Sequence, residues 1–372
     1  PIAWGAPLDP AVSLATKAAA ELPGVRAITV DGTVWHEGGA SDVEELALSI
    51  AAGVAYLRAL TDAGLDIEPA ARQIEFRYAI TADQFSGIAK LRAARRMWAR
   101  VTEACGATQP QAQHAVSSAA MMTRRDPWVN MLRTTVACFS AAVGGAEAIT
   151  VLPFDSAIGL PDAFGRRIAR NTQALLHDES HLSRVVDAAG GSWYVEHLTD
   201  DFAKAAWAWF RDIERAGGLA AALDAGLVQQ RLDATWAERS AAIARRKDPI
   251  TGVSEFPDIA EAPVTRPPAP EREPAVVPRR RYAEAFEALR DRAEAASAPP
   301  TVFLANLGPI AVHTARATFA KNFFEAGGIK TITNDGFDSP DAAAKAFADS
   351  GARIACICSS DAVYDQQAEA AA

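Results

Sequence analysis

Cysteine is scarce: Cys105, Cys138, Cys356 and Cys358 are the only four in 372 residues, too few and too scattered for a disulfide scaffold. Basic residues are outnumbered, 37 Lys and Arg against 46 Asp and Glu, and the net charge of -9 excludes the basic face a nucleic-acid partner requires. No uncharged apolar run reaches the roughly eighteen residues a membrane span needs. No basic stretch followed by an apolar one stands at the first residues either, so a cytoplasmic chain is expected. The sequence begins at Pro1 without Met and stops in an Ala-rich tail soon after a strand, as expected of a fragment at both ends. What is abundant is apolar residues, 49% of the chain, enough for two domains with cores of their own.

The pattern alternates strand and helix. Residues 11–21 predict a helix and 25–30 a strand ending at the Asp31-Gly32 turn, with 33–40 as a loop. Ser41-Asp42-Val43-Glu44 is a capping box opening a long helix to about Thr61, and Thr81-Ala82-Asp83-Gln84 reads as a second one, after a strand over 73–80. Strands are predicted over 114–120 and 148–152, with a helix opened by Asp126-Pro127 between them. A further helix carries Arg167, Arg170 and Asn171. Four strands are half of a (β/α) barrel, whose active site lies in the loops after the strands. Beyond Thr199 the sequence is helical, and Trp207, Trp209 and Phe210 are read as core rather than as a cofactor-stacking box.

Residues 263–281, PVTRPPAPEREPAVVPRRR, are proline-rich and charged and read as an extended linker. After a helix, strands over 301–304, 330–334 and 353–358 alternate with helices over 314–326 and 339–350, the order of a doubly wound sheet. The expected organisation is therefore an α/β barrel portion over 1–262, a linker and helix over 263–298, and an incomplete flavodoxin-like domain over 299–372. Cys356 and Cys358 alternate on one face of the last strand and are read as packing rather than as a metal pair.

Between Arg124 and Glu196 uncommon polar motifs stand in order: Asp126-Pro127-Trp128-Val129-Asn130, Arg133-Thr134, Gly144-Gly145, Phe154 to Pro161, Arg167 to Gln173 and Gly190 to Glu196, followed by Leu198-Thr199-Asp200. The stretch resembles the barrel domain of the adenosylcobalamin-dependent methylmalonyl-CoA mutases, whose large subunits carry DPYNN, RT, GG, FDEALGLPT, SARIARNTQ and GGSYYVE in the same order. That resemblance implies a TIM-type barrel, a cobalamin-binding-type second domain, acyl-CoA as substrate, and a radical interconversion of succinyl-CoA and methylmalonyl-CoA.

The sites the resemblance points to are altered. A catalytic histidine of the pattern RTH.QTSG falls on His114, but Ala112, Val116 and Ala119 stand where that pattern has arginine, glutamine and glycine, so His114 is read as a relic or a core histidine rather than a catalyst. In the first loop the relatives' Tyr-His pair is Thr33-Val34 and their glutamine is His36, a weak substrate-binding candidate. Cobalamin domains of this class carry DxHxxG, whose histidine ligates cobalt and whose aspartate orients it. Here the motif reads Ala311, His313 and Arg316, and the later SxL element reads Ser359-Ser360-Asp361, so His313 is expected to be a surface histidine without a cofactor. His177 and His181, at i and i+4 of a presumed helix, are assigned no metal.

With both sites altered, and with ITGVSEFP at 250–257 resembling small subunits, the resemblance implies the non-catalytic small subunit of a heterodimeric mutase. Adenosylcobalamin would then be bound by the large catalytic subunit, its partner. Two rivals stay open: a self-sufficient acyl-CoA mutase using His114 and His313, and a purely structural assembly partner.

Overall fold

The computed structural model describes residues 8–270 and 277–372. It divides into two compact units, one built from residues 1–122, 130–240 and 265–281, the other from 123–129, 241–264 and 282–372. Among the described residues no helix is long and apolar enough to cross a membrane.

The first unit is organised on four parallel strands in sequence order, β1 (Ile28–Asp31), β2 (Ile74–Ile80), β3 (Ala112–Ser117) and β4 (Ala148–Thr150). Helices α1 (Asp9–Glu21), α2 (Thr33–Glu37), α3 (Asp42–Asp62), α4 (Ile67–Arg72), α5 (Gln84–Ala104), α6 (Val129–Val143) and α7 (Ala163–Ala174) accompany them. The chain continues through α8 (Trp193–Arg215), α9 (Leu219–Asp224) and α10 (Leu227–Ala244). The two faces of β2 explain the layering. Ile74, Phe76, Tyr78 and Ile80 are buried on one face, with Phe76 meeting Trp98 of α5 edge to face at 4.7 Å. Gly53 of α3 is what allows this approach, because a Cβ there would stand 2.6 Å from the Phe76 ring. Glu75 and Arg77 occupy the opposite face.

The predicted capping box at Ser41 forms in full: its hydroxyl accepts from the Glu44 amide and Glu44 accepts from the Ser41 amide. The second does not. Asp83, not Thr81, caps α5 by accepting from the Ser86 amide, since Thr81 instead accepts from the Asp83 amide. Residues 33–40, expected to be a loop, contain α2, started by Asp31 accepting from the Thr33 amide and hydroxyl. The helix after Asp126-Pro127 starts only at Val129, because Asp126 is held at φ 41. α8 starts at Trp193, ahead of the helix expected beyond Thr199.

The linker residues described, 263–270 and 277–281, have no regular secondary structure, but they are not a free spacer; 271–276 lie outside the described residues. Arg266 pairs with buried Asp155, the Pro267 carbonyl accepts from the Leu160 amide, and Val277 is buried against Gly38.

In the second unit α11 (Glu284–Glu294) precedes β5 (Thr301–Asn306), α12 (Ile310–Ala326), β6 (Lys330–Ile332), α13 (Pro340–Ser350), β7 (Ala355–Cys358) and α14 (Asp361–Ala371). The strands are parallel in the order β6-β5-β7, the doubly wound arrangement read from the sequence. Both faces of β5 are covered: Val302 and Leu304 pack with Ala317 and Ala320 of α12, Phe303 and Ala305 with Ala343 of α13. A parallel strand buried on both sides reads as a continuous apolar run, as VFLA does here.

Candidate functional site

Strand register in the first unit lines up a polar row. Asp31 of β1 stands opposite Arg77 of β2, and Arg77 opposite His114 of β3, whose other neighbour is Ala148 of β4. The side chains follow: Arg77 pairs with Asp31 at 3.1 Å, the Arg77 Nε–H reaches His114 Nδ1 at 3.4 Å, and His114 Nε2 lies 2.8 Å from the Thr150 hydroxyl. Because Nδ1 accepts from a guanidinium, the proton sits on Nε2 and is donated to Thr150. Burial, and then the Arg77 charge, lower the pKa of His114, so the ring is neutral near pH 7. An imidazole used at both nitrogens by neighbours on its own sheet has no nitrogen left for a substrate.

A second cluster lies where β2 and β3 end. Lys90 of α5, fully buried, donates to Glu45 of α3, to Asp42 at 2.9 Å and to the Ala79 carbonyl at 2.7 Å. Glu45 also accepts from the Ala79 amide at 2.8 Å and lies 3.4 Å from His36 Nδ1. His36, 2% exposed on α2, meets the Ser118 hydroxyl at 2.7 Å through Nε2. Burial works against the Lys90 ammonium, but Asp42 and Glu45 outweigh it and hold its pKa above the ordinary lysine value. Asp42 responds in the opposite sense: burial raises it, yet Lys90 brings it below the carboxylate range.

His36, Asp42 and Glu45 have the mutual spacing of a metal site. The Lys90 ammonium already supplies the cation those oxygens require, so we assign it no metal. The network therefore ties α2, α3 and α5 to the strand ends. Sequence reasoning found His36 but missed Lys90 and Glu45. The available signal was a lysine and a glutamate inside the buried stripes of otherwise apolar helices, Lys90 between Ile88 and Leu91, Glu45 beside Leu46 and Leu48.

In the second unit His313 is not the surface histidine expected: it is 4% exposed on the first turn of α12. Its Nε2 lies 3.3 Å from the Asp335 carbonyl, and Gly336, at φ +107, leaves it room, since a Cβ there would stand 2.9 Å from Nε2. Nδ1 has no partner among the described residues. Ala311, exposed two residues earlier, offers no carboxylate. Arg316 and Asp361, noticed as separate oddities in the sequence, are partners: the guanidinium pairs with Asp361 at 2.5 Å and lies over the Tyr364 ring at 4.8 Å. The Tyr364 hydroxyl in turn accepts from the Ser359 amide and donates to the Ile357 carbonyl.

His177 and His181 do not share a helical face. The segment 175–179 is a single wide π-helical turn and His181 is left-handed at φ 56, so the two imidazoles are not one turn apart. His177 is instead hydrogen-bonded to Asp178. Trp209 and Phe210 are core, as read, while Trp207 lines a groove of about 970 Å³ with Arg96, Arg100, Lys204 and Arg211.

Comparison with known proteins adds identity to this geometry. The family model described as methylmalonyl-CoA mutase matches residues 4–319. The methylmalonyl-CoA mutase small subunit of Streptomyces virginiae is 61% identical over 356 residues, covering 94% of this chain and 58% of that protein. The small subunit of Propionibacterium freudenreichii subsp. shermanii is 44% identical over 355 residues, 93% of this chain and 55% of its own. The methylmalonyl-CoA mutase of Escherichia coli K12 is 37% identical over 239 residues, 63% of this chain and 34% of its own. The chain thus spans little more than half the length of the small subunits it matches.

Proposed function

The chain belongs to the methylmalonyl-CoA mutase family, and from that premise we propose that it is part of the small, non-catalytic subunit of a heterodimeric mutase. The large subunit then carries out the interconversion of succinyl-CoA and methylmalonyl-CoA and holds adenosylcobalamin, which supplies the radical chemistry. In this reading the first unit is a portion of a TIM-type barrel and the second an altered cobalamin-type domain, in a soluble cytoplasmic complex.

The observation that carries the reading is His313. A lower cobalt ligand presents one nitrogen to the metal while a carboxylate holds the other. Here Nε2 is turned to the Asp335 carbonyl, Nδ1 is buried without a partner among the described residues, and Ala311 stands where the carboxylate is needed. The residues present do not fit the cofactor, and no step is routed through it in this chain. His114, held by Arg77 and Thr150, supports the same reading for the barrel side.

The test is reconstitution. Full-length small and large subunits are assayed separately and together, with and without His114→Ala in the small subunit. Turnover by the pair that is unchanged by His114→Ala supports the proposal. Turnover by the small subunit alone, or loss of the pair's activity with His114→Ala, contradicts it.

A further inference from the structure

Cys356 and Cys358 stand two residues apart on β7 and so share one face, opposite Leu304 and Asn306 of β5. Cys358 is sealed in the core with Val302, Leu304, Ala317 and Ala320, whereas Cys356 packs at the rim of that cluster and is half-buried. β7 is an outer strand of the three, so its rim is not enclosed by a further described strand. The two sulfurs are 4.0 Å apart, with Cys358 donating to the Cys356 sulfur and, at 3.6 Å, to the Cys356 carbonyl. That hydrogen bond lowers the Cys356 thiol to about 7, while Cys358 is pushed up by it and by burial.

The geometry separates two uses of such a pair. Side chains two apart on a strand leave the backbone about 6.6 Å from each other, whereas a disulfide draws Cβ atoms to roughly 3.5–4.5 Å. Closing that bond would break the β5–β7 ladder. An ion bound by two sulfurs at about 2.3 Å each spans roughly 3.8 Å at a tetrahedral angle and about 4.6 Å when the sulfurs are opposed. The observed 4.0 Å falls inside that range with the strand intact. No third ligand joins them: among the described residues the group of three or more metal-capable side chains is the one at His36. Two thiolates without oxygen or imidazole select a soft ion of low coordination number.

We propose that Cys356 and Cys358 form a two-thiolate site for a soft monovalent cation of the copper(I) class. Each sulfur gives a lone pair to the ion, every proton the two thiols still carry leaves to solvent, and no electron changes hands.

The experiment is an anaerobic titration of the reduced full chain with copper(I) against bicinchoninate. Cys356→Ser, Cys358→Ser and, as control, Cys105→Ser at an exposed position are titrated alongside. One equivalent is expected for the parent and for Cys105→Ser, with affinity at least tenfold lower for either strand variant. Circular dichroism checks each fold, and Cys356→Ser, at the rim, carries the test if Cys358→Ser does not fold. Unchanged uptake by Cys356→Ser, or loss of uptake with Cys105→Ser, overturns the site. So does a Cys356–Cys358 disulfide on mild treatment with diamide, because the strand would then have yielded as this geometry forbids.

Discussion

Two histidines, His36 and His313, mark what differs between the two units. Both are buried. His36 lies in a network in which one ammonium serves two carboxylates, Lys90 against Asp42 and Glu45, with the Ala79 amide and carbonyl completing the set. Among the described residues His313 has one backbone carbonyl and an idle nitrogen. A buried histidine can thus be held in two ways. In the first unit the polar groups are each other's partners and tie α2, α3 and α5 to the strand ends. In the second, the ring is folded inward onto one backbone carbonyl.

If that contrast is right, the two regions should respond unequally to substitution. Lys90→Met leaves buried Glu45, and part-buried Asp42 beside it, without their cation and should cost about 3–5 kcal/mol in urea unfolding. Adding Glu45→Gln should recover part of that loss; equal destabilisation by the single and double variants would break the network account. Gly336→Ala forces a side chain at φ +107, within 2.1 Å of the Gly308 carbonyl, and should cost about 1–3 kcal/mol. His313→Leu, by contrast, removes a single neutral hydrogen bond and relieves an unpaired nitrogen, so its cost should be about 1 kcal/mol or less. A loss as large as that of Lys90→Met would mean His313 has a partner of greater weight.

A smaller effect concerns pH. The pKa of His114 is lowered by burial and by Arg77, so the unfolded chain takes up this proton first as pH falls. Its contribution is complete above the ordinary value of about 6.5 and is lost as pH drops toward the folded-state value. The urea midpoint should therefore decline more steeply between pH 7 and pH 5 in the parent than in His114→Gln. The smallest effect is expected of Arg316→Ala, whose pair with Asp361 is open to solvent; the unfolding midpoint should not move measurably.

Much of this architecture was legible because the sequence punctuates it. The Ser41 box and the apolar run of β5 each act through local chemistry, and each appears where expected. What escaped was decided by partners far away in the chain. Thr81 and Asp83 are equally good caps in one dimension, and only the Asp83–Ser86 bond distinguishes them. The proline-rich segment has linker composition, yet the charge of Asp155 captures Arg266. The candidate sites were legible as altered motifs, but not as what replaced them. Nothing local to Lys90 says that Glu45 and Asp42 will meet it, or that Arg316 and Asp361 are one pair.

The central claim is that this chain offers cobalt no axial histidine, and it is tested most directly by titrating the full-length small subunit, without its partner, with adenosylcobalamin while the corrinoid spectrum is followed. The account predicts the spectrum of free cobalamin throughout. A shift to the base-off, histidine-ligated form that disappears with His313→Ala would contradict it.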